Sequence, residues 1–317
     1  MSILCSCDSA LKNTGSPTCK KVFGVGVNYL MVPIYANDGT MNCIDATTTL
    51  NSAYFTALIN QADDSKRFYP TGKLKNITGE RADSIKETFD DGSNVYIRQG
   101  IRNFAAMLVQ GSFELAAQFN ANRCSTFGIF IVDADGSVLG KKIGDDGKLY
   151  PIEIDAATFE AKMVFTTDTT IQKIMLMGQW GVLEKDDDLR MISANSITGI
   201  NLANATGLMD VYCKIISTST TTMVLDIYAK FDDIVTNYPI EGLVAADFVS
   251  SNSGATSKIY DITDLTDLTV TVVESSTIKG RYTLSYTGAV TNELLQPLIK
   301  KNGLDGYTMR GTVGTVV

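Results

Sequence analysis

The sequence predicts a mainly β protein of α+β character in two parts. The first is an antiparallel β-barrel or sandwich with one or two helices, and the second is an immunoglobulin-like β-sandwich. Three observations carry this reading. Alternating apolar segments recur with Asp-Gly turns between them, as at Asp133-Ala134-Asp135-Gly136 and Asp145-Asp146-Gly147. Helical spacing is confined to short stretches. From about Ser193 charged residues thin out and serine and threonine accumulate, as in Ser217-Thr218-Ser219-Thr220-Thr221-Thr222. A length of 317 residues suits two domains. The boundaries expected are an arm over 1–21, a first domain over 22–192 and a second over 193–317.

Taken in order, the arm is turn-rich and carries Cys5, Cys7 and Cys19, with Cys43 further on as a fourth candidate thiolate for a metal. Their spacing does not match C-x-x-C knuckles, so the simpler reading is reduced thiols. Val22 to Tyr35 reads as the first strand. Its Gly24-Val25-Gly26 lacks the third glycine and the helix of a dinucleotide fingerprint. Leu50 to Gln61 has helical spacing, with Ala53, Tyr54, Ala57 and Leu58 on one face. A long polar connection then runs over about 62–90. A connection of that length in a compact domain is usually functional, which makes it the first candidate for subunit contact.

The stretch from Phe89 to Ile154 organises the first domain. An alternating segment puts Val95, Ile97 and Ile101 on one face and Tyr96, Arg98, Arg102 and Phe104 on the other, with Gly100 placed for a bulge. Ser112 is placed to cap a helix over Phe113 to Phe119. Strands at Phe127–Val132, Val138-Leu139 and Leu149–Ile154 follow, joined by the Asp-Gly turns. Those acidic turns, and Asp186-Asp187-Asp188, do not complete a D-x-D-x-D-G calcium loop. Ile171 to Trp180 reads as a strand with Ile174, Leu176 and Trp180 inward and Lys173, Met175 and Gln179 outward. Glu184 to Arg190 reads as a solvated turn. Beyond it, short strands recur at Val211–Ile216, Met223–Phe231, Phe248-Val249, Leu268–Val273 and Tyr282–Tyr286, as in a β-sandwich. Leu294 to Asn302 reads as a short closing helix interrupted by Pro297.

Composition narrows the function. The chain has no histidine, which removes Ser-His-Asp and Cys-His catalysis and His-ligated zinc. No cofactor motif is complete, and the chain reads as a non-enzyme. A net charge of −8 argues against tight phosphate binding, so Arg98 and Arg102 are expected to serve salt bridges within or between subunits. No apolar run approaches the ~20 residues that span a bilayer. The amino-terminal residues lack a basic and an apolar signal region, so a product of the cytoplasm is expected.

The cysteine-bearing start with Asn13-Thr14-Gly15-Ser16-Pro17-Thr18-Cys19, the segments Glu80-Arg81-Ala82-Asp83-Ser84 and Tyr96 to Phe104, and the appended sandwich together form a familiar combination. It resembles virion structural proteins of tailed bacteriophages, most closely a tail-tube protein with an outer immunoglobulin-like domain. The resemblance implies a virion location after synthesis in the host cytoplasm. It also implies a ring-forming homo-oligomer, often sixfold, with other tail or capsid proteins as partners. DNA would pass through the channel without specific binding, and no membrane is involved. Arg67, Phe68, Tyr69, Arg81, Arg98 and Arg102 are the candidate subunit-contact residues. Two other readings are a capsid decoration or head-completion protein and a carbohydrate-binding module. The latter is weakened by a single tryptophan, Trp180, in a core-like pattern.

Overall fold

The computed structural model describes residues 22–230 and 235–317. It is mainly antiparallel β with two α-helices. In chain order the first domain runs β1 (Gly26–Pro33), α1 (Ser52–Ile59), β2 (Leu74–Thr78), β3 (Ile85–Thr88), β4 (Asn94–Arg98) and β5 (Asn103–Val109). It continues through α2 (Phe113–Ala121), β6 (Phe127–Asp133), β7 (Val138–Lys141), β8 (Ile152–Val164), β9 (Lys173–Trp180) and β10 (Leu189–Ile192). The main sheet has the order β10-β7-β6-β8-β9-β5-β2, and β1 pairs with β6. β1 also lies against β2, so the sheet curls around a common core.

Strand alternation explains why this domain has two cores. Tyr29 and Met31 of β1, with Phe127 and Ile129 of β6, enter a cluster with Phe104, Ile174, Leu176 and Trp180. Their neighbours Leu30, Val32, Phe130 and Val132 enter a second cluster on the other face. A strand pair covered on both sides is apolar at consecutive positions rather than alternate ones. α1 covers the second cluster, and Asn51 caps it by accepting from the Tyr54 amide. The face expected from spacing is corrected here. Phe55 is the buried residue of α1, whereas Ala53 and Ala57 are exposed. Burying one large aromatic removes more apolar surface from water than burying two alanines.

α2 follows the sequence closely: the Ser112 hydroxyl accepts from the Leu115 amide. It also finishes the sheet. The Asn120 side chain donates to the Ala161 carbonyl at 2.8 Å and accepts from the Ala161 amide at 2.9 Å, on the edge of β8 opposite β9, which β6 covers only at Ile152 and Glu153. One amide group thereby substitutes for a strand on an open edge.

The second domain is a sandwich. One sheet contains Tyr212–Thr218, Thr222–Lys230, Asn237–Pro239, Thr271–Glu274 and Arg281–Ser285; the other contains Lys258–Asp261, Thr266–Thr269, Leu294–Gln296 and Gly314–Thr315. Met223, Leu225, Ile227, Tyr282 and Leu284 from the first meet Ile259, Leu268 and Leu295 from the second in one core. Val270, 2% exposed, carries the chain from one sheet to the other. The segment expected as one strand over Leu268–Val273 is thus two strands in different sheets.

Other expectations are corrected. The change of texture at Ser193 precedes the change of core, because Ile197, Leu202 and Ala203 pack with the first domain. The second core begins at Val211. No closing helix forms at 294–302: Leu294–Gln296 is a strand held by Lys258–Asp261, and Leu295, Leu298 and Ile299 are buried. Sheet pairing overrides a weak local helical pattern, and Pro297 supplies no amide to one. The connection over 62–90 is not one loop, since Tyr69–Pro70 pairs with β1 and β2 pairs with β5. The segment expected as one alternating strand over Val95–Phe104 divides into β4 and β5.

Candidate functional site

That division produces the most exposed element of the first domain. β3 and β4 pair only with each other, and every residue from Ala82 to Arg98 is exposed. Alternation places Glu87, Val95 and Ile97 on one face, while Lys86, Thr88, Asn94 and Tyr96 occupy the other, and Ile85 pairs with Arg98 beyond a register shift at the base. Ile97 is 55% exposed, and Phe89 at the turn is 47% exposed. This is the pattern of a half-buried hairpin, yet the described residues provide nothing that buries it. A lone two-stranded hairpin is marginally stable in water, and exposed apolar surface of this kind marks an interaction site.

The hairpin is anchored at its base. The Arg81 guanidinium donates to Asp186 Oδ1 at 2.8 Å and Oδ2 at 3.1 Å. Arg102 donates to both oxygens of the same carboxylate at 2.9 Å. Arg81 also donates to the carbonyls of Gly100 and Glu184, and Arg102 to that of Gly79. Arg102 lies over the Trp180 ring, 4.8 Å from its centroid. The hydrogen bond from Arg81, reinforced by Arg102, holds the Asp186 carboxyl below its usual range against some desolvation. Gly100 is required by proximity: a Cβ there would stand 2.0 Å from the Ala82 carbonyl oxygen. The chain therefore breaks between β4 and β5 where the two legs of the hairpin close together.

Glu184 to Arg190 is accordingly not a solvated turn. Glu184 is buried and ion-paired with Lys141, and Asp186 is the keystone of the clamp. Sequence reading missed both. Three consecutive aspartates with lysine before them and arginine after them carry the signature of a surface turn, and nothing local distinguishes Asp186 from its neighbours.

The candidate contact residues separate into three groups. Arg81 and Arg102 form the clamp, and Arg98 stands exposed on the hairpin itself. Tyr69, 36% exposed, borders a cleft between the domains. Phe68 is corrected, because it lies in the core, 2% exposed and stacked on Phe130 at 5.6 Å. Arg67 is corrected too: it is 4% exposed, ion-paired with Asp305 of the second domain and with Asp64 at 3.0 Å. Both are engaged inside their own chain.

No known protein family, curated protein or solved structure matches this chain.

The interdomain cleft measures about 670 Å³ and is walled by Met31, Leu115, Phe119 and Leu208. Its polar groups serve the domain seam. Asp210 accepts from Gln118 at 3.0 Å, and Asp305 accepts from Arg67. Burial raises the Asp210 carboxyl, with the neighbouring Asp305 adding to the effect. Of the candidate thiolates, Cys5, Cys7 and Cys19 lie outside the described residues. Cys43 is half-buried, its thiol raised by burial, and belongs to no ligand cluster among the described residues. The one such cluster is Asp261, Asp264 and Glu293, whose oxygens lie within 4.8 Å of one another. Asp261 there accepts from the amides of Thr263 and Asp264, and Glu293 from that of Val290, so the group orders two turns. Asp133 behaves likewise, accepting from the Asp135 and Ser137 amides in its hairpin turn, as expected of an Asp-Gly turn.

Proposed function

We propose that the chain is a self-assembling virion structural subunit, of the kind that forms the tail tubes of tailed bacteriophages. The observation that carries this reading is the projecting β3–β4 hairpin. It is amphipathic, unpartnered among the described residues, and fixed at its base by the Arg81–Asp186–Arg102 clamp. A chain that holds an apolar hairpin rigidly in water spends stability unless the hairpin is covered in an assembly. Ring closure by many copies removes such exposed edges. The net charge of −8 suits a conduit past which DNA slides without sticking. The outer sandwich domain then decorates the tube.

Negative-stain electron microscopy over a range of concentrations tests the reading. Hollow rings or tubes of constant width are expected, and replacing residues 84–98 by a short Gly-Ser turn should leave a monomer. A chain that stays monomeric at every concentration, or assembles equally well without the hairpin, sinks the tube reading and favours a decoration role.

A further inference from the structure

The strands that carry the hairpin also present a face that none of the described core clusters uses. In β5, β9 and β8 the inward rows are Leu108–Ile174–Met163 and Ala106–Leu176–Ala161. Between them lie rows that point the other way: Lys75–Met107–Met175–Lys162, Ala105–Met177–Glu160 and Val109–Lys173–Val164. Residues paired across antiparallel strands share a face, so these rows form one surface. A sheet that buries one face is expected to turn polar side chains outward on the other. This one turns out three methionines, Met107, Met175 and Met177, each half-buried in the single chain. Methionine is the apolar residue that adapts its shape to a partner.

Charge selects the partner. Lys75, Lys162 and Lys173 border the methionines and form no salt bridge among the described residues, although the chain as a whole is at −8. The one carboxylate on these rows, Glu160, faces Arg123 at 3.8 Å. The surface is therefore apolar in the middle and basic at its margin. The hairpin is its complement. Its apolar face of Val95 and Ile97 carries Glu87, its turn carries Asp90 and Asp91, and the cation Arg98 sits at the base opposite Ile85, all exposed. A methionine floor fits an apolar strand face better than it fits a phosphate backbone, which needs clustered cations rather than thioethers.

We infer that the outer Met107–Met175–Met177 face of one copy is the seat of the β3–β4 hairpin of a second copy, packed face to face as two sheets of a sandwich. The contact is heterologous, since donor and acceptor are different surfaces, and it propagates into rings or filaments rather than stopping at a dimer. This inference rests on the self-assembly reading and supplies its missing acceptor.

Photo-crosslinking tests it. Chains with p-benzoylphenylalanine in place of Met175 are mixed with isotopically heavy, otherwise unaltered chains, assembled, irradiated and digested with trypsin. A crosslink to the heavy peptide Glu87–Arg98 is the expected result. Crosslinks only to the light chain's own hairpin, to another segment, or to nothing overturn the inference. If the particles still need the hairpin, the self-assembly reading survives that result; if they form without it, both fail together. A charge exchange keeps the test independent of the probe. Lys162→Glu with Lys173→Glu should lower assembly at fixed concentration by about tenfold, and Asp90→Lys with Asp91→Lys in the same chain should restore it. No restoration overturns the inference, as does retention of duplex DNA by the wild-type chain that the lysine substitutions abolish.

Discussion

Arg67 and Asp305 form a buried ion pair across 238 residues of chain, joining the end of the first domain's α1 region to the second domain's short strand Leu304–Asp305. Arg67 further donates to the Gln61 carbonyl at 2.7 Å and reaches Asp64, so its fork is held from both sides. Asp305 runs beside Asp210 in a parallel pairing, and Asp210 accepts from Gln118 of α2. Two carboxylates of the second domain are thereby met by two side chains of the first. This seam sets where the sandwich sits on the curled sheet that carries the hairpin.

Removing one partner should therefore be expensive. Arg67→Met leaves the Asp305 carboxylate buried beside Asp210 without its cation, a change that costs about 3–5 kcal/mol. Thermal denaturation should resolve into separate domain transitions in this variant. Arg67→Met with Asp305→Leu together should recover most of the loss. A wild-type melting curve in the single substitution would refute the structural role of the pair.

The clamp has a built-in reporter, because Trp180 is the only tryptophan and Arg102 covers its ring. Asp186 has a depressed carboxyl in the folded chain. A group of that kind contributes stability above its unfolded value, and the contribution is lost as pH falls through the lower folded value. Trp180 fluorescence should change as pH falls below the usual carboxylate range, while the global circular dichroism stays constant. Asp186→Asn should remove that step and make the hairpin more susceptible to limited proteolysis at neutral pH.

Domain boundaries give a sharper test than either. Fragment 1–205 retains Ile197, Leu202 and Ala203, whereas 1–192 lacks them and opens the second core of the first domain. Fragment 1–205 should be soluble and melt cooperatively, and 1–192 should aggregate. Equal behaviour of the two would contradict the packing of that segment.

Asn120→Ala removes both hydrogen bonds to Ala161 and leaves an open stretch of β8. The unpaired groups should cost about 1–3 kcal/mol. Amide exchange at Ala161 should accelerate far more than at Ile174 in the strand interior. Uniform acceleration would mean that Asn120 acts on global stability rather than on the edge.

Several short-range signals hold in the structure. Ser112 caps α2 because a serine hydroxyl satisfies a first-turn amide wherever the next residues are helical. The inward row Ile174, Leu176 and Trp180 follows from a period of two, and each is buried. The turn at Asp133 to Gly136 follows from Asp-Gly chemistry, with Gly136 at φ +95°. Phe68 was misread because Phe68-Tyr69-Pro70 lies among polar residues, and only the cluster with Phe130 shows that it is core.

The sequence by itself determined the β class, the capped helix and the turns, since each depends on side chains a few positions apart. Tertiary structure alone decided which face of α1 is buried, where the second domain begins, and which acid each arginine meets. Asp186 lies 105 residues from Arg81 and 84 from Arg102. No local period encodes a distance of that kind: the partner of a charge is fixed only when curled strands bring remote segments within hydrogen-bond reach.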